Sequence, residues 1–141
     1  MIFEVLAAFV AALTFSLFFN VSKNELFYCG LVGGIGWLIY LIAFNQIQDV
    51  IYSSFAAALI ISILSHFLAR IRKNPVTIYQ IGGMFPIVPG AGMYKTLYYI
   101  VNEDYTLSMS YLFETLQIAG GIAVAMVLIA FVYNLFAKRW A

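Results

Sequence analysis

Charge is what this sequence has least of. Only 9% of its 141 residues are charged, where a soluble domain carries about a quarter. Seven basic and six acidic residues leave a formal net charge of +1, so charge points to no nucleic-acid partner. The single cysteine, Cys29, excludes an internal disulfide, and with one histidine in the chain no Cys/His metal cluster can be assembled. No nucleophile–base arrangement supports intramembrane hydrolysis, so neither an enzymatic activity nor a cofactor or metal is expected. The first twenty residues lack the basic start and small-residue cleavage site of a signal peptide and carry Glu4 instead. They are expected to remain as a first membrane span.

What the chain has in abundance is apolar length. Hydrophobic residues make up 65% of it, and the mean hydropathy is +0.99. Five apolar segments are expected at about 2–19, 27–44, 50–69, 75–101 and 108–136, separated by the polar connections VSKNE, NQIQ, RIRKN and NEDYT. Each approaches or exceeds the roughly 17–25 residues that cross a bilayer. The predicted fold class is all-α: one polytopic membrane domain over 1–141, a bundle of about five spans in contact with lipid. Gly30 and Gly34 form a G-x-x-x-G, with a looser small-residue pair at Ala8 and Ala12, so close helix approach is expected there. The run GLVGGIG lies inside an apolar span without the Lys–Ser/Thr of a phosphate loop, and is read as a packing surface.

The fourth segment, PVTIYQIGGMFPIVPGAGMYKTLYYIV, is the odd one. Unbroken, it would rise roughly 40 Å, beyond the roughly 30 Å of hydrocarbon. Pro86 cannot donate to the carbonyl of Gly82, nor Pro89 to that of Phe85, and each ring clashes with the preceding turn. Gly82, Gly83, Gly90 and Gly92 surround them. A broken fourth helix is predicted, and bare backbone at membrane depth must face protein or a water-filled cavity. Discontinuous helices of this kind build midplane substrate sites in transporters.

The charges orient the chain. With five spans, Lys23, Arg70, Arg72, Lys73, Lys138 and Arg139 fall on one side, while the opposite loops hold Asp49, Glu103 and Asp104 without a basic residue. The positive-inside rule places the N-terminus outside and the C-terminus in the cytoplasm. Asn74 is expected to cap the fourth segment, with Pro75 in its first turn, and Thr106 and Ser108 to cap the fifth. Trp140 and the Tyr98–Tyr99 pair are expected as interfacial anchors. Lys95 is the basic residue out of place, inside the fourth segment. It either snorkels toward Glu103 or Asp104 or meets an anionic group in a cavity. Glu114, with Gln117 one turn on, is a candidate for proton coupling. Tyr79, Gln80 and Tyr94 are candidates to line the break, whereas His66 is read as interfacial.

The run GGMFPIVPGAGMYKTLYYIV resembles the signature of the threonine/serine exporter family, in its C-terminal membrane half. The matching residues are Pro86, Pro89, Gly90, Tyr94 and Lys95. The resemblance implies the small subunit of a split, two-chain exporter in the bacterial inner membrane, since this chain carries no cytosolic region. Its partner would be a larger five-span subunit with such a region, or failing that a homo-oligomer. The implied cargo is a small carboxylate-bearing metabolite: threonine or serine, or a dicarboxylate such as succinate. Taken with the helix break, the resemblance gives an expected substrate site of Gly82, Gly83, Phe85, Pro86, Pro89, Gly90, Gly92, Tyr94 and Lys95. Two other readings stay open: a non-transporting assembly subunit, and a small homo-oligomeric channel.

Overall fold

The computed structural model describes residues 1–139, in which helices joined by short turns are the only regular elements; Trp140 lies outside the described residues. Six α-helices follow one another: α1 (Ile2–Phe18), α2 (Lys23–Ile47), α3 (Val50–Arg72), α4 (Val76–Met84), α5 (Gly90–Val101) and α6 (Tyr105–Arg139). A single 3₁₀ turn, Phe85–Ile87, separates α4 from α5. The fourth segment is therefore broken where its prolines forbid helix hydrogen bonds. Three helices, α2, α3 and α6, are long and apolar enough to cross a membrane; α1 and the stretch from Val76 to Ile87 are shorter apolar helices.

Glycine does unusual service here. No glycine has a positive φ, and the left-handed positions in the turns are taken by Asn20, Gln48, Lys73 and Glu103 instead. The glycines are spent on packing. A methyl group at Gly33 would overlap the side chain of Ala12, and one at Gly36 would overlap Ile61. At Gly30 a Cβ would stand 2.8 Å from the Phe9 ring. The expected G-x-x-x-G approach is thus present, with α1 lying across α2 and Ala8 and Ala12 buried between them. Such close approach replaces the hydrophobic drive that is absent between helices in lipid.

α4 sits in the middle of this group, packed on α1, α2 and α3. The core around it includes Cys29, Val32, Ala57, Ala58, Ile61, Tyr79 and Met84. α6 packs on α3, and the two run parallel: Gly121 faces Phe55, and Tyr133 faces His66. On that register, the residues of α6 before about Leu116 run past the start of α3. α5 rests on this overhang and on no other helix among the described residues.

Helix ends differ in detail from the sequence expectation. Asn74 does not cap α4; Pro75 occupies the cap position, and the Asn74 amide nitrogen donates to Tyr79 Oη at 3.1 Å. Asp104, rather than Thr106 or Ser108, caps α6, its Oδ1 accepting from the Leu107 amide at 3.1 Å. Ser108 is buried and donates to the Thr96 carbonyl at 2.9 Å, fastening α6 to α5. Asp49 is a regular cap for α3, with Oδ1 accepting from the amides of Ile51 and Tyr52.

Candidate functional site

The broken segment divides the expected site residues into two groups. The first runs from buried glycines on α4 to the partly exposed 3₁₀ turn. Gly82 and Gly83 are buried on α4, where a Cβ on Gly82 would overlap Ser16 Oγ and one on Gly83 would stand 2.5 Å from Val32 Cγ1. Phe85 stacks on Phe15 with ring centroids 3.7 Å apart, and Pro86 is half-buried in the 3₁₀ turn. The Phe85 carbonyl accepts from the Val88 amide at 3.3 Å, so it is not left bare. The Gly82 carbonyl loses its helical donor to Pro86.

The second group stands apart on the α5–α6 hairpin. Pro89 is the cap residue of α5. The Gly90 amide donates to the Val88 carbonyl at 2.8 Å and the Met93 amide to the Pro89 carbonyl at 3.2 Å. The amides of Ala91 and Gly92 have no acceptor among the described residues. Gly90 has open space where a Cβ would stand, whereas Gly92 lies against Thr115 of α6. Tyr94 is 68% exposed. Lys95 is also exposed, its Nζ 5.0 Å from the centre of the Tyr111 ring. It makes no ion pair with Glu103, Asp104 or Glu114 among the described residues. Glu114 and Gln117 are exposed on α6. Since α5 does not pack on α4, the chain does not bring Lys95 and Tyr94 to Gly82 and Gly83.

Polar groups that sequence reasoning left scattered are gathered around α4. Near its start, Glu25 of α2, Arg72 of α3 and Tyr79 of α4 form one network. Arg72 Nη2 donates to Glu25 Oε1 at 2.7 Å, and Nε lies 3.2 Å from both carboxylate oxygens. Tyr79, fully buried, donates its hydroxyl to Glu25 Oε2 at 2.6 Å. The Arg72 guanidinium also lies 4.5 Å over the Tyr28 ring. The next residue of α4, Gln80, donates through Nε2 to Ser62 Oγ at 3.3 Å, and Ser16 and Ser65 are also buried, on α1 and α3. A cleft of about 170 Å³, lined in part by Ser16, Thr77 and Gly82, opens between the end of α1 and α4.

The inner network places the start of α2 beside the end of α3, and the Arg70–Tyr133 contact brings the end of α6 to the same level. All these ends carry basic residues. A bundle with one basic end and a proline-interrupted helix in its middle is matched by one family model. That model, described as Threonine/Serine exporter, ThrE, covers residues 4–132. The chain belongs to the threonine/serine exporter family. A family of membrane transporters accounts for the apolar helices and for the broken one. An uncharacterized protein of Haemophilus influenzae is 25% identical over 136 residues, which are 96% of this exporter-family chain and 45% of that protein. The chain therefore spans about half the length of that curated relative. No solved structure matches.

Proposed function

We propose that this chain is the small membrane half of a secondary exporter for small carboxylate-bearing metabolites, threonine and serine first and a dicarboxylate such as succinate second. The observation that carries the reading is the division of the broken segment: α4 is enclosed by three helices, while α5 leans on α6 alone. Unpaired backbone groups cannot be left bare against lipid, so the amides of Ala91 and Gly92 at the start of α5 call for a second set of helices to enclose them. The greater length of the Haemophilus influenzae relative supports this. The second unit is a larger five-span subunit with a cytosolic region or, in its absence, a second copy of this chain.

In this reading the substrate binds at the exposed start of α5, among Pro89, Gly90, Gly92, Tyr94 and Lys95, while Gly82, Gly83, Phe85 and Pro86 form the packed side of the break. The unpaired amides of Ala91 and Gly92 stand at the positive end of a 12-residue helix, where a carboxylate is favoured, and Lys95 adds a cation. Glu114 takes part in proton coupling. The basic ends of α2, α3 and α6 lie in the cytoplasm and the N-terminus outside the bacterial inner membrane, as the positive-inside rule requires.

The test is efflux of threonine, serine and succinate from vesicles holding the chain alone and with a candidate five-span partner. Gradient-coupled efflux that needs both chains is the expected result. Efflux by the chain alone down any gradient would make it a channel. No efflux from a correctly assembled pair would make it a scaffold.

A further inference from the structure

Away from the break, the α3–α6 pair carries a groove of its own. A groove of about 390 Å³ runs between these two parallel helices toward their C-terminal ends. Its walls are apolar, with Ile63 and Phe67 on α3 facing Val132 and Phe136 on α6. Its mouth is polar. Arg70 lies in the last turn of α3, its guanidinium carbon 5.0 Å from the centre of the Tyr133 ring, and the His66 ring is 4.7 Å from the same ring. His66 Nδ1 donates to the Ser62 carbonyl at 2.9 Å, so Nε2 is the nitrogen left for a ligand.

Two arginines in one helical turn have opposite fates. Arg72 is taken up by Glu25, while Arg70 has no carboxylate within ion-pairing distance among the described residues. An unmatched guanidinium over an apolar groove, at the end of a membrane-length helix, has the two halves of an anionic amphiphile's recognition: a slot for hydrocarbon and a planar fork for phosphate. Basic pockets between membrane helices bind anionic headgroups in this way.

We propose that the α3–α6 groove is a binding site for an anionic phospholipid. One acyl chain lies between Phe67 and Phe136, and the headgroup phosphate pairs with Arg70 beside His66 and Tyr133. The site is separate from the helix break and does not depend on which substrate is exported.

Native mass spectrometry tests this on the purified chain after equilibration with equal amounts of phosphatidylglycerol and phosphatidylcholine of matched acyl chains. Retained phosphatidylglycerol should exceed phosphatidylcholine about five-fold, the effect of one cationic side chain at a membrane surface. Arg70→Gln should bring the ratio to about one; Arg70 makes no ion pair among the described residues, so the variant should keep its fold, which an unchanged melting temperature would verify. Lys138→Gln removes a charge from the same end outside the groove and should leave the ratio unchanged. Phe136→Trp should add emission that brominated phosphatidylglycerol quenches more than brominated phosphatidylcholine. Equal retention of the two lipids overturns the proposal, as does a preference that survives Arg70→Gln or falls equally with Lys138→Gln. Inorganic phosphate binding through Arg70 without a lipid preference would make this an anion site and also overturn it. A dimer in the same spectra that is lost on Phe67→Ala would put a second copy in the groove, with the same consequence.

Discussion

Arg72 and Glu25 stand 47 positions apart in sequence and 2.7 Å apart in space. Their contact ties the start of α2 to the end of α3, and Tyr79 adds α4 by donating to the same carboxylate. The α4 half of the broken segment is thus anchored beside an ion pair, whereas the α5 half is held to α6 by the Ser108–Thr96 hydrogen bond.

Removing one partner of such a network should cost more than removing two. Glu25→Gln leaves the Arg72 guanidinium without its anion and one acceptor oxygen where Arg72 and Tyr79 used two, and Arg72→Met leaves the Glu25 carboxylate buried without its cation. Each single variant should melt lower in detergent than the Glu25→Gln/Arg72→Met double variant. Tyr79→Phe removes one hydrogen bond and should cost about 1 kcal/mol. Strict additivity of the two single changes in melting temperature would show that the residues do not act as a pair.

Glycines with neighbours should behave unlike glycines without them. Gly83→Ala places a Cβ 2.5 Å from Val32 Cγ1, and overpacking of this kind costs about 1–3 kcal/mol. Gly82→Ala meets Ser16 and should act alike. Gly120 lies inside α6 with nothing within 4 Å. Alanine there should stabilise the isolated chain, by up to about 1 kcal/mol from helix propensity. Thermal melts of the three variants would show whether Gly120 stands apart from the other two.

The basic ends predict a labelling pattern. With Cys29 replaced by Ala, cysteines at Lys73 and Lys138 should react only from the cytoplasmic side and one at Asp104 only from outside. Cys29 is buried against α4, its Sγ 3.5 Å from the Ile78 carbonyl, so the background substitution removes one core atom and its melting temperature should be measured first. Positions 73 and 104 reacting from the same side would end the five-span reading.

Much of the fold was legible because it depends on local properties. Apolar length is local, and so is the missing N–H of Pro86 and Pro89, which ends α4 at Met84 wherever the segment packs. Glu25 was not legible. It stands in the polar run KNE and reads as loop, yet α2 already begins at Lys23, and its partners Arg72 and Tyr79 are set by how three helices meet. The departure of α5 from α4 was equally hidden. It follows from the register of α6 on α3, which leaves an overhang for Gly92, Lys95 and Tyr99 to pack on, and hydropathy carries no trace of that register. The left-handed turns at Asn20, Gln48, Lys73 and Glu103 lack the usual glycine signal, because the glycines are committed to helix contacts.

The proposed substrate site is tested most directly where the fold does not object. Open space at Gly90 means that Gly90→Val should leave the chain inserted and folded; any loss of transport then reflects blocked approach to the exposed start of α5. Efflux should be abolished at normal abundance. Lys95→Met removes the cation without disturbing an ion pair. It should weaken an anionic substrate by about 1.5–3 kcal/mol, roughly ten- to a hundred-fold in apparent affinity. Lys95→Arg should restore only part of this, because a planar fork replaces a compact ammonium. Glu114→Gln should flatten the pH dependence of efflux if that carboxylate couples protons and leave substrate affinity alone. Normal efflux by both the Gly90 and Lys95 variants would move the site off α5. The buried polar group of Ser16, Ser62 and Gln80 around α4 would then be the next place to look.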